Sequence, residues 1–219
     1  MRRVPPISAV GLLLTGIITA SASAELAGTE RYEADLAASR VTVTGTSTLH
    51  AWHVEGRHLG GSLSIDGHEL ASLWRVSSSS PHTLAPTVRV EIPVTSLAGG
   101  TREMDEKMHE ALKAKTHPTM TYRLESVTIP ARQTAHTDDT GGSVTIDTTG
   151  VLVVAGAERT VNMPMRVRWL SDHRLEISGD TSLRMTEFGI DPPRAMLGML
   201  RTGDEVHVHW TWVLARRPS

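Results

Sequence analysis

At 219 residues the chain is long enough for one large domain or two small ones, and 39% apolar residues suffice for a real core. Charged residues make up 21% and the formal net charge is −2, which leaves no basic footprint for nucleic acid. There is no cysteine, so disulfides, a thiol nucleophile and an acylated N-terminal Cys are all excluded.

The first 24 residues read as a secretory signal peptide. Arg2 and Arg3 give the positive start, Ala9 to Ala20 the apolar run, and Ala22-Ser23-Ala24 a small-residue cleavage site. The run is too short for a good membrane span. Cleavage removes two Arg and no acid, so the mature chain, residues 25–219, is mildly acidic.

From there the pattern has period two, the mark of half-buried strands. Val41 and Val43 alternate with Thr42 and Thr44, and Val88, Val90, Ile92 and Val94 with Arg89, Glu91 and Pro93. Met120, Tyr122 and Leu124 form the next run. Val161, Met163, Met165, Val167 and Trp169 follow, then Leu175 and Ile177, continued by Leu183 and Met185. Val206, Val208, Trp210, Trp212 and Leu214 form the last. Many such strands, separated by Gly, Asp and Ser turns, predict an all-β antiparallel barrel or sandwich in one domain. The inward face is expected to carry Val90, Ile92, Val94, Tyr122, Met163, Met165, Val167 and Trp210.

One segment departs from the alternation. Met104, Met108, Ala111 and Leu112 fall at helical spacing between about Glu103 and Ala114. Thr101 can cap the start, Glu103, Asp105 and Glu106 suit the positive N-terminus, Lys113 and Lys115 suit the far end, and Pro118 stops the helix. This predicts one amphipathic helix lying against the barrel. Ser77 to Pro86 and Gln133 to Gly142 are polar and read as loops, the second with a hairpin tip at Asp138, Asp139, Gly141 and Gly142. Met185 to Met196, stiffened by Pro192-Pro193 and bent at Gly189, is long enough to cover a barrel mouth.

Gly45 to His53 is the densest polar stretch. Ser47 as nucleophile and His50 as base would make an esterase-like pair, but no G-x-S-x-G elbow and no acid partner accompany them. The alternative is a strand–turn corner whose hydroxyls satisfy the backbone. His50, His53 and His58, and separately His207 and His209, could contribute metal ligands. Neither group lies in a zinc signature. No Gly-rich phosphate motif is present, and nothing calls for a cofactor. Met104, Met108, Met120, Met163, Met165, Met185, Met196 and Met199 supply flexible apolar volume, suited to a cavity that closes on a long alkyl chain or to ordinary core filling. Phe188 is the only Phe.

Several of these stretches together resemble the YceI-like family of secreted, polyisoprenoid-binding, lipocalin-like proteins. Gly45-Thr46-Ser47-Thr48-Leu49-His50-Ala51-Trp52 is similar to the opening motif of one branch, with Ala51 where that branch often has Asp. Val90 to Leu97, a helix ending before His117-Pro118, and Gly150-Val151-Leu152 to Gly156 follow in family order. Met185-Thr186-Glu187-Phe188-Gly189-Ile190-Asp191-Pro192-Pro193 is the most specific match, and Gly203-Asp204-Glu205-Val206 opens the final strand. The resemblance spans about residues 32 to 214. It implies an extended eight-stranded antiparallel barrel with a long apolar cavity, residence in a Gram-negative periplasm and binding of an apolar, isoprenoid-type lipid.

On that reading the cavity is lined by Trp52, Val90, Ile92, Val94, Met108, Leu112, Tyr122, Met163, Met165, Val167, Phe188 and Trp210, and a polar head would sit at the mouth. Three functions compete: a lipid carrier without catalytic residues, a hydrolase using Ser47 and His50, and a scaffold with a filled barrel. Homodimerisation is left open.

Overall fold

The computed structural model of the chain describes residues 28–74, 82–130, 136–138, 141–171, 173–195 and 200–217. The expected signal peptide lies outside them. In chain order the strands are β1 (Thr29–Ala34), β2 (Arg40–Ser47), β3 (Ala51–Gly56), β4 (Gly60–Asp66), β5 (His82–Leu84), β6 (Thr87–Pro93) and β7 (Leu97–Ala98). They continue with β8 (Thr119–Ile129), β9 (His136–Asp138), β10 (Gly141–Val154), β11 (Ala157–Ser171), β12 (Arg174–Arg184), β13 (Arg194–Ala195) and β14 (Leu200–Arg216). Every pairing between them is antiparallel.

Eight strands close a barrel in the order β1-β4-β6-β8-β10-β11-β12-β14, and β14 returns to β1. Closure leaves this ring without free edges. The sheet also forks. The end of β14 pairs with β1, Ala34 opposite Leu214, whereas Val206 to Thr211 pair with β2. β2 then pairs with β3, and β3 with β7, which follows β6 through a 3-10 turn at Val94–Ser96. One half of the wall is therefore completed by β1 and β4, the other by β2 and β3. The β2–β3 branch ends at β7, which the chain itself joins to β6.

Ser39 fastens the fork. It is 2% exposed, its hydroxyl donates to the Val213 carbonyl at 3.2 Å, and it accepts from the Val213 N–H at 2.9 Å. The Asp35 N–H also donates to that carbonyl at 2.8 Å, so Ser39 stands in for the acceptor that the Val213 N–H would find in a continuous ladder.

The floor is closed by α1 (Gly67–Ser72), capped by the Asp66 carboxylate, which accepts from the N–H groups of His68 and Glu69. Leu70 and Leu73 bury into the main core, and Trp74 packs on Trp169 with ring centroids 4.9 Å apart. This helix leaves no mark in the sequence pattern, because six residues starting Gly-His carry too little periodicity to register. The expected amphipathic helix is α2 (Arg102–Ala111), with the Thr101 hydroxyl accepting from the Met104 N–H. Ending at Ala111 rather than Ala114, it turns out through Lys113 at φ 56°.

Other boundaries shift for identifiable reasons. Val94 does not extend the β6 row: Pro93 ends the strand, and Val94 opens the 3-10 turn, its N–H bonded to the Pro118 carbonyl at 2.8 Å. Part of each expected loop is strand. β5 pairs with β8, and β9 forms a hairpin with β10. Residues 77–81 and 139–140, the hairpin tip among them, lie outside the described residues. In β8 the inward row switches from Met120, Tyr122 and Leu124 to Val127 and Ile129, because a bulge shifts the register against β10.

A lumen lined by half-buried apolar residues

Burial changes along the barrel axis. Toward the floor the inward residues are sealed: Tyr32, Leu63, Ile65, Val127, Ile129, Val144, Val167, Leu175 and Leu214 are all at or below 5% exposure. Further up, where Tyr122, Met163 and Val206 are still buried, other residues on the same inward rows are only half-buried. On β6 these are Val88, Val90 and Ile92; on β8, Met120 and Leu124; on β11, Met165; on β14, Val208 and Trp210. Inside a closed wall, partial exposure means space beside the side chain rather than open surface.

Three aromatic rings shape that space by lying over glycines of a neighbouring strand. A Cβ added at Gly45 would come within 2.3 Å of the Trp52 ring, one at Gly150 within 2.5 Å of Tyr122, and one at Gly179 within 2.5 Å of Trp210. Glycine lets each bulky ring flatten against the wall instead of crossing the lumen. Trp52 is held there by its indole N–H, 3.2 Å from the Thr46 carbonyl.

The expected lining residues divide between clusters. Trp52, Ile92, Met108, Leu112 and Trp210 come together around Val41, Val54 and Leu97, so α2 covers the upper lumen with Met108 and Leu112. Val90, Ile92, Met165 and Trp210 border the main core, in which Val167 is itself packed. Phe188 lies in a separate cluster with Ala155 and Ile190, against which Leu112, Leu152 and Leu183 pack. Tyr122 and Met163 meet through Thr148, which donates to the Met163 carbonyl at 2.7 Å and accepts from the Tyr122 hydroxyl at 3.5 Å. Burial raises the Tyr122 pKa, partly offset by the bond to Thr148. Val94 is wholly buried in its 3-10 turn. Val43, Val208, Met120 and Leu124 also belong to these clusters. The alternation signal contained them, and only the choice among alternating residues left them out.

The mouth is organised by polar contacts. Asp204 accepts from both the backbone N–H and the hydroxyl of Thr186, and these bonds hold its carboxyl below the usual carboxylate range. Gly189 at φ 64° ends the adjoining 3-10 turn, Met185–Phe188. Met196 and Met199 lie outside the described residues.

The polar candidates fall elsewhere. The Ser47 hydroxyl donates to the His50 carbonyl at 2.8 Å and accepts from the His50 N–H at 3.3 Å, so it closes a turn. His207 and His209 point outward from β14. His207 Nδ1 is 2.8 Å from the Ser182 hydroxyl, and its Nε2 is 3.6 Å from Glu205. This serine, imidazole and carboxylate lie exposed on an outer wall, away from any recess. Among the described residues no group of three or more His, Asp or Glu is placed to hold a metal ion. An open groove of about 230 Å³ between Ser126, Thr128, Asp147, Thr149 and Asn162 lies on the outside, where β8 bulges.

The YceI-like domain matches residues 32–214. No curated protein matches the chain. Solved structures with the same fold include the following two. BcnA of Burkholderia cenocepacia is 16% identical with a TM-score of 0.59, over 82% of this chain and 98% of its own. A polyisoprenoid-binding domain from Saccharophagus degradans, implicated in plant cell wall breakdown, is 15% identical with a TM-score of 0.60, over 85% and 98%.

Proposed function

The chain belongs to the YceI-like family, and on that premise we propose that it is a periplasmic carrier holding one isoprenoid-type lipid inside its barrel. The observation that carries this is the row of inward apolar residues, Val90, Ile92, Leu124, Met165 and Trp210, left half-buried within a closed wall. An eight-stranded barrel is just wide enough for one slim ligand. The S. degradans domain of the same fold is a polyisoprenoid-binding domain. Each CH₂-sized group buried there contributes ~0.8 kcal/mol before the cost of ordering the chain. Export rests on the signal-like first 24 residues.

The turn made by Ser47 and the outward position of His207 support a binding protein over a hydrolase. The test is lipid uptake by delipidated protein. An isoprenoid at about 100 times its dissociation constant should stabilise the fold by ~2.7 kcal/mol. Met165→Trp should fill the lumen, abolish that gain and leave a folded protein. A wild type that shows neither uptake nor a thermal shift would favour the filled-barrel scaffold.

A further inference from the structure

Strands β6 and β8 are neighbours, with Pro93 opposite Thr119. A short turn could join such a pair. The chain instead runs out through residues 94–118 and returns, its base drawn together by the Val94 N–H, which donates to the Pro118 carbonyl at 2.8 Å. β7 pins the outgoing limb to β3, Glu55 opposite Ala98 and Gly56 opposite Leu97.

The helix that follows is held far more loosely. Among the described residues α1 buries Leu70 and the 3-10 turns bury Val94 and Phe188, whereas α2 buries nothing along its length. An element with so little burial opens at low cost. Its Met108 and Leu112 cover a cluster in which Trp52, Ile92, Met120 and Trp210 are only half-buried. Its ion pairs, Arg102 with Glu106 and Lys107 with Glu103, stay within the helix. Among the described residues a single side-chain hydrogen bond fastens α2 to a strand. His109 Nε2 lies 2.8 Å from the Leu97 carbonyl of β7, and since a carbonyl only accepts, the imidazole donates.

Both ends of α2 are suited to turning. A Cβ added at Gly99 would strike the His53 carbonyl of β3 at 2.3 Å, so the chain is wedged there. One residue on, the three nearest atoms to a Cβ added at Gly100 all belong to Met104 of α2 itself. Asp105 keeps the first turn attached at this point, accepting from the N–H groups of Gly99 and Gly100 at 3.1 Å. Past the far end, Lys113 holds φ 56°, a left-handed conformation uncommon for a residue with a side chain.

We propose that α2 is the entry lid of the barrel and His109 its latch. The helix swings out about Gly100 and Lys113, and a slim apolar molecule passes beneath it to the side chains of Trp52, Ile92 and Trp210. This rests on the carrier reading above and adds a route to it. His109 is a positioning residue: it holds the closed lid and touches no cargo.

Hydrogen exchange of the delipidated full chain reads the lid without any cargo. The amides of α2 should exchange by a local opening that urea does not promote, well ahead of those in β8, β10 and β14. His109→Ala should quicken exchange in α2 about five-fold, the worth of one hydrogen bond, and leave the strands unchanged. His109→Gln, whose amide still donates, should restore the slower exchange. The cargo probe is N-phenyl-1-naphthylamine, an uncharged apolar fluorophore. Its uptake and release should both be about five-fold faster in His109→Ala, with affinity unchanged, because passage runs through the open form in either direction. A purely structural role for His109 would weaken affinity or heat stability without this paired rise. Exchange of α2 only together with the strands, or equal rates in the two proteins, overturns the lid and leaves the carrier reading intact. An α2 that opens in a chain taking up no fluorophore overturns the carrier reading and the lid with it.

Discussion

Single side chains decide how this barrel is sealed and how it responds to pH. Tyr32 is wholly buried at the floor and bonds the Glu30 carboxylate. Burial, then the Glu30 bond and charge, push its pKa well above 10.0. A phenol held neutral in the fold contributes stability that is fully present below its unfolded pKa. That contribution is lost as pH rises from about 10 toward the raised value. Urea midpoints should therefore fall steeply above about pH 10, and the fall should be shallower in Tyr32→Phe. Identical pH profiles for the two proteins would show that the floor is open to water. Tyr122, raised in the same direction, adds its own share and is separated by Tyr122→Phe.

At the level of strands and helices, the sequence conveyed periodicity well and long-range partners hardly at all. The alternation in β6, β8, β11 and β14 was legible because one face of each is wet. The fork in β14 was not, since two successive neighbours of one strand leave no local mark in its residues. Nor was the β8 bulge, where Glu125 is exposed and nothing in the run announces a change of parity. Val94 shows the limit of extending a pattern past a proline. In sequence Trp212 is one more member of the apolar row of the last strand, because its N–H, buried and unsatisfied among the described residues, is a property of the packed interior and of no sequence window. Ser39 belongs to the same class, an ordinary serine in sequence and the clasp of the fork in space. Ser39→Ala leaves the buried Val213 N–H without an acceptor, while the carbonyl keeps the Asp35 N–H, and should cost ~1–3 kcal/mol by denaturant unfolding. A loss within about 0.5 kcal/mol, the usual surface range, would mean that water takes over the role.

For the molecule as a whole, the proposed carrier function divides the barrel into a packed floor and an upper part whose inward apolar residues are less fully buried. A chain without disulfides needs a core of its own, and the lower barrel with α1 supplies it. The upper barrel is then free to trade packing for space, with flexible Met108, Met120 and Met165 among its lining. α2, with no buried residue, covers that space without being part of the core. The central claim is that a lipid occupies the lumen, and native mass spectrometry of protein purified from the periplasm without detergent tests it most directly. The account predicts one apolar molecule per chain, released on denaturation and recovered in the organic extract as an isoprenoid-type lipid. A bare polypeptide mass, unchanged after incubation with total lipid extract, would contradict it.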